Sequence, residues 1–189
     1  MGTELKKTPE QEERKQVWLT ELSRFIVQAN LATWAGEGKE VPPQRPGYKE
    51  LQYPSPEESQ GDWMLRDSYA GYFRAPGMTT VYYKGIPVWT MQYGGHGQTE
   101  GHEGNAKETF GFLKEALKKV SPELPFRGPK ELVIGDKKYE FQMLEGTIED
   151  GLWREKITEN GEVTFTQVGM VGVVIGKDQD RNPIYPWNR

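Results

Sequence analysis

From Met78 to Gly95 the chain reads MTTVYYKGIPVWTMQYGG, two runs dense in β-branched and aromatic residues on either side of Lys84-Gly85. That pattern predicts a β-hairpin whose loop is Lys84-Gly85 or Lys84-Gly85-Ile86 and places it at the centre of a sheet. On its second arm Trp89, Met91 and Tyr93 alternate, so they share one face. Pro87 has no N–H to give a ladder, so its nitrogen must face an edge or the turn. Upstream, KELQY is a short strand, and Asp62 to Ala75 alternates over much of its length. Trp63, Leu65, Asp67 and Tyr69 fall on one face of that strand, and Met64, Arg66 and Ser68 on the other. Downstream, ELVI and KKYEFQML flank Gly135-Asp136, while GLWREKIT and EVTFTQVGMVGVVI flank Asn160-Gly161. Both are hairpin signals, and Asn-Gly is the strongest short one.

A period of 3.6 residues takes over in two places. Trp18, Leu22, Phe25, Ile26 and Ala29 lie on one face of a helix that opens at Thr8-Pro9-Glu10-Gln11. There Thr8 caps, Pro9 suits the first helical position and Gln11 completes a capping box. Gly36 and Gly38 end this helix. A second helix starts near Asn105 and Glu108, with Thr109, Phe110, Leu113, Ala116, Leu117 and Val120 as its apolar face, and stops before Pro122. Between the elements, residues 36–61 form a Pro- and Gly-rich passage in which 55–60 is expected to be mobile. Gly94 to Gly104 reads as a glycine-rich loop holding both histidines. The sequence shows no internal repeat. The order helix, strands, helix, strands is α+β, a mainly antiparallel β-sheet built from hairpins with two helices packed on one face. Residues 1–8 are an N-terminal tail, 9–176 a single α+β domain and 177–189 a C-terminal tail.

Composition narrows the function classes. A chain of 189 residues with a net charge of −4 is a poor match to a phosphate-tracking surface, so no nucleic acid is expected as a partner. No apolar run reaches about 18 residues, and the charged N-terminus lacks the apolar core of a signal peptide. The expectation is a soluble cytoplasmic protein with no membrane partner. The absence of Cys removes disulfides and thiolate chemistry. Hydrophobic content is 35%, but six Trp, nine Tyr and seven Phe raise the area each core residue can bury.

The pieces TWAGEGKEV, the RPG turn with LQY, DSYAG, VYYKGIPVWTMQYGG, FLKEAL and PFRGP, in that order, resemble a bacterial family of uncharacterised small domains. Some members of that family sit behind an Xre-type helix-turn-helix domain in regulators. The resemblance covers roughly residues 22 to 175 and implies a small α+β domain in a sensing or regulatory context, without an assigned activity. A single helix precedes the matching pieces, and a helix-turn-helix needs more, so no DNA-binding role is expected.

Candidate chemistry is sparse. There is no Gly-x-Ser-x-Gly elbow, no His-Glu-x-x-His and no P-loop Lys-Ser or Lys-Thr. His96 and His102, with Glu100 and Glu103, have the donor types a transition metal takes, yet their spacing matches no ligand motif, and no metal or cofactor is expected. The aromatic and basic set is the better lead. Trp34, Tyr48, Tyr53, Trp63, Tyr69, Trp89 and Tyr93, with Arg45, Arg66 and Arg127, exceed what a small core requires. Small-molecule pockets are apolar and aromatic with a few fixed polar groups. Plain sheet packing accounts for the same residues, and periodicity does not separate the two readings. The ligand-binding set drawn from it is Arg45, Asp67, Tyr69, Trp89, Tyr93 and Arg127. Arg127 sits in a proline-bounded turn, which makes it a positioned, partly buried cation, with Asp67 as its leading carboxylate partner. The sequence therefore favours a small-molecule-binding or regulatory module over an enzyme. The alternatives are an enzyme of unfamiliar layout drawing on His96, Asp67, Tyr69 or Arg127, and an interaction module or homodimer formed through an exposed strand or aromatic patch.

Overall fold

The computed structural model describes residues 8–57, 61–98 and 100–189, and all but the side chain of His96 within them. Residues 58–60 of the expected mobile stretch lie outside the described residues. The first helix, α1 (Pro9–Ala32), begins as its sequence requires: Gln11 N donates to Thr8 Oγ1 and Thr8 N donates back to Gln11 Oε1 at 2.9 Å. It buries Trp18, Leu22, Phe25, Ile26 and Ala29, the apolar stripe of the 3.6-residue period.

Five strands follow: β1 (Glu40–Val41), β2 (Lys49–Tyr53), β3 (Trp63–Tyr69), β4 (Gly77–Tyr83) and β5 (Ile86–Gln98). After the second helix, α2 (Ala106–Leu117), come β6 (Glu131–Ile134), β7 (Lys137–Gly146), β8 (Asp150–Glu159) and β9 (Glu162–Val173). All nine pair antiparallel in the order β1-β2-β3-β4-β5-β9-β8-β7-β6. Both Lys84-Gly85 and Asn160-Gly161 take positive φ at their two residues, the mirror-image turn that matches the twist of a hairpin. One buried cluster joins α1 and α2 to the inner face of strands from both halves of the sheet, so the two helices cover the same face. No helix among the described residues is long and apolar enough to cross a membrane.

The element order repeats although the sequence does not. A helix followed by four sequential antiparallel strands occurs once as α1 with β2–β5 and again as α2 with β6–β9. The last strand of each half, β5 and β9, pair with one another and close the sheet at its middle.

One expectation about the elements is corrected. The stretch from Gly94 is not a loop at its start: β5 runs on to Gln98, with an irregularity between Gly94 and Gly97 where it pairs with β9. The second helix starts where its sequence places it, with a 3-10 turn, Glu103–Asn105, leading into α2 at Ala106. The C-terminal extension, for which the sequence allows a docked or a loose course, is docked. After β10 (Gly176–Lys177) and β11 (Pro183–Ile184) pair, Trp187 packs edge-on against Trp18 at 5.9 Å.

Candidate functional site

One lateral row on the inner face sets up the site. Reading across β3, β4, β5, β9 and β8, it runs Tyr69, Gly77, Tyr93, Gly169, Trp153. Large rings alternate with glycines for a steric reason. A Cβ on Gly77 would lie 2.5 Å from the Tyr93 hydroxyl, and one on Gly169 would lie 2.3 Å from the Trp153 ring. Tyr93 is thereby free to lie flat across β4 and reach β3.

There it meets Asp67, which is buried on the inner face of β3. The Tyr93 hydroxyl donates to the carboxylate, 3.0 Å from Oδ2 and 3.1 Å from Oδ1, and Thr79 Oγ1 donates to Oδ1 at 2.7 Å. Burial pushes the Asp67 carboxyl up from the ordinary carboxylate range, against the two hydroxyl donors and the charge of Arg127, which favour the anion. Burial, and then the negative charge of Asp67, push the Tyr93 hydroxyl well up, so it stays a donor.

Arg127 reaches the same region from the segment after α2. That segment is held to the end of α1 by Asn30, whose Nδ2 donates to Pro125 O at 2.8 Å and whose Oδ1 accepts from Trp34 Nε1 at 2.7 Å. The guanidinium lies 4.6 Å above the Trp34 ring centre and 5.6 Å from that of Trp153. Its hydrogen-bonded partner is Glu155, not the expected Asp67. Arg127 Nε donates to Glu155 Oε2 at 3.0 Å and Nη2 donates to Oε1, a two-point pair whose side chains are 3% and 0% exposed. The Tyr139 hydroxyl adds a third bond to Glu155 at 2.8 Å and accepts from Gly128 N. Asp67 acts on Arg127 only through its charge, because its oxygens are occupied by Thr79 and Tyr93. Burial works against the charge on Arg127, but the Glu155 carboxylate outweighs it and raises the pKa further.

Above this polar floor lies a cavity of about 580 Å³. Its walls come from the turn after α1 (Thr33, Trp34), from β2 (Lys49, Leu51), from α2 (Phe110, Leu113, Leu117) and from β9 (Phe165, Gln167). At the mouth stand Tyr72 and Phe73, exposed at 57% and 44%, in the turn between β3 and β4. The glycine-rich segment of β5 seats that turn. Gln98 N donates to Phe73 O at 2.7 Å, and at Gly97, with φ of +60°, a Cβ would collide with the same carbonyl at 2.3 Å. The Tyr72 ring then meets Phe110 of α2 edge-on at 5.2 Å.

Of the six residues drawn from the sequence, Asp67, Tyr69, Tyr93 and Arg127 line this cavity. The other two do not. Trp89 is sealed in the core, stacked near Phe126, with its Nε1 donating to Ile148 O at 2.8 Å. Arg45 is exposed and lies over the ring of Tyr48, away from the cavity. His102 approaches Glu162 at 4.0 Å, and no group of three or more His, Asp or Glu suited to a metal occurs among the described residues. The His96 side chain lies outside what is described. Glu155 and Gln167 went unnoticed in the sequence, yet each had a signal. Alternation puts Glu155 on the same face as Trp153 and Ile157, and Gln167 on that of Phe165.

The fold and its cavity define an α+β protein with an open, aromatic-walled pocket over a buried ionic floor. The profile of a domain of unknown function, DUF5680, matches residues 67–174. That is more than half of the chain, which therefore belongs to this family. The matched stretch begins at Asp67 and carries Tyr93, Arg127, Glu155 and Gln167, while Trp34 and Lys49 lie outside it. No curated protein and no solved structure matches the chain.

Proposed function

We propose that this protein is a small-molecule-binding module whose ligand occupies the cavity between the turn after α1, α2 and the inner face of the sheet. The observation that carries the reading is the combination of a 580 Å³ space with rigid polar groups at its floor and aromatic walls. Such a volume lies in the range of small-molecule sites, which are lined mainly by apolar side chains with a few polar groups that fix orientation. The floor is held by interactions already in place: Asp67 by two hydroxyls, Arg127 by Glu155 and two indoles. A ligand therefore meets positioned groups and spends little free energy ordering them. The resemblance to domains that follow helix-turn-helix regulators supports a sensing role for the bound state.

Thermal-shift screening against a broad metabolite set tests the reading. A ligand present at about 100 times its Kd stabilises by about 2.7 kcal/mol, which raises the Tm of a chain this size by roughly 5–10 °C. The shift should be lost in Phe110→Ala, which removes a wall while leaving the buried floor intact. A set that raises the Tm nowhere, or a shift that survives in this variant, refutes the assignment.

A further inference from the structure

We propose that the ligand of this cavity is an uncharged planar heterocycle with an amide-type edge, a ring N–H beside a ring carbonyl. This rests on the cavity being a ligand site, and it adds the ligand's chemical class. The first argument is charge. Three acidic residues line the cavity, Glu37, Glu40 and Asp67, against three basic ones, Lys49, Lys114 and Arg127. Glu155 stands behind Arg127 and accepts two of its hydrogen bonds, so the one buried cation is already compensated. Lys49 is paired with Glu40 at 3.1 Å. A phosphate or carboxylate would find no surplus positive charge here, and Asp67, the buried carboxylate of the floor, already accepts from Thr79 and Tyr93.

The second argument is a buried polar group without a partner. Gln167 lines the cavity and is 6% exposed, and its Oε1 is buried with no hydrogen-bond partner. Gln167 is the register partner of Glu155, so its carboxamide stands beside the Arg127–Glu155 pair. Turning the carboxamide exchanges which atom is left over without removing the demand. A buried amide oxygen lacking a partner is costly, and such groups in native proteins call for an explanation. A carboxamide offers one acceptor and donors side by side. The group that satisfies both at once is a second amide edge, N–H to Oε1 and carbonyl to Nε2. Arg127 Nη1, which has no hydrogen-bond partner among the described residues, supplies a donor for a further carbonyl.

The third argument is shape. Trp34 and Tyr93 both line the cavity, with ring centres 6.3 Å apart and planes 20° from parallel. Phe110 and Phe165 stand edge to face, 6.1 Å apart, and add a second aromatic group. Flat aromatic surfaces favour a planar ring by offset stacking.

A matched probe pair tests the proposal by isothermal titration calorimetry: 2-quinolinone, which carries the edge, and N-methyl-2-quinolinone, in which the edge is blocked. The expected result is binding of 2-quinolinone at least about tenfold tighter than of its N-methyl form, since a site built around a hydrogen bond discriminates strongly against a ligand that cannot make it. In Gln167→Met that preference should disappear while the N-methyl compound binds as before. Equal binding of the two probes to the unaltered protein overturns the amide-edge proposal and leaves the cavity reading standing, and it needs no variant to fold. Binding of neither probe, where other compounds raise the Tm in a Phe110-dependent way, overturns this proposal alone. Binding of neither probe and of no screened compound overturns both.

Discussion

Replacing Arg127 with Met keeps most of the side chain's length and removes its charge from a pair that water does not reach. The side chains of Arg127 and Glu155 are 3% and 0% exposed, so Glu155 is left as a buried carboxylate with one remaining donor, Tyr139. Breaking a buried pair from one side costs about 3–5 kcal/mol, because the stranded charge keeps its desolvation penalty and loses its partner. Part of the loss also comes from the indoles, since the guanidinium covers Trp34 and Trp153. Glu155→Gln alone strands the cation instead. The double variant Arg127→Met with Glu155→Gln leaves no unmatched charge and retains an acceptor for Tyr139. It should cost less than either single change, within about 1–2 kcal/mol of the unaltered protein. Urea unfolding followed by circular dichroism measures all four proteins, and the m-value shows whether the unfolded reference has moved. A stability of Arg127→Met within about 0.5 kcal/mol of the unaltered protein, the range of plain surface substitutions, refutes the reasoning. So does a double variant whose loss equals the sum of the two single losses, which would mean that the groups do not interact.

Two further outcomes follow from the inner face. Gly169→Ala forces a methyl to within 2.3 Å of the Trp153 ring and should destabilise by about 1–3 kcal/mol, with a shift in tryptophan fluorescence; an unchanged spectrum and stability would contradict the packing. Asp67 has its folded pKa raised above the ordinary 3.8, so the stability it contributes is full below that value and is lost as pH rises through the raised one. The stability of the unaltered protein minus that of Asp67→Asn should therefore be greatest below pH 3.8 and fall as pH rises above it. A difference that is flat, or that grows with pH, would show the carboxyl is not held as described.

Local pattern carried most of the secondary structure, because each hairpin has its turn chemistry and its alternation written side by side. Thr8 to Gln11 specified a capping box that forms, and Asn160-Gly161 specified a turn that forms. The sheet order was harder, since nothing local says that β9 comes back to lie beside β5. The same blindness applied to the Arg127 pair. The stiff turn showed that Arg127 would be positioned, but its partner lies on β8, brought near by long-range pairing. Trp89 and Tyr93 were equivalent by alternation; only the glycines on the flanking strands let Tyr93 tilt toward Asp67 while Trp89 is walled into the core. Arg45 lies away from the cavity for a plainer reason: its guanidinium sits over the ring of Tyr48 within its own proline-rich turn.

The meeting of β5 with β9 has a consequence for how ligand occupancy would spread through the molecule. Each helix-and-four-strand half could loosen as a unit of its own, since local opening in proteins tends to follow such motifs. The cavity belongs to neither half, because Trp34, Asp67 and Tyr93 come from the first and Phe110, Arg127 and Gln167 from the second. A bound molecule therefore adds its free energy to the junction and not to either side of it. The two halves already share one buried core and the β5–β9 ladder, so amide exchange along β5 and β9 should slow together on binding.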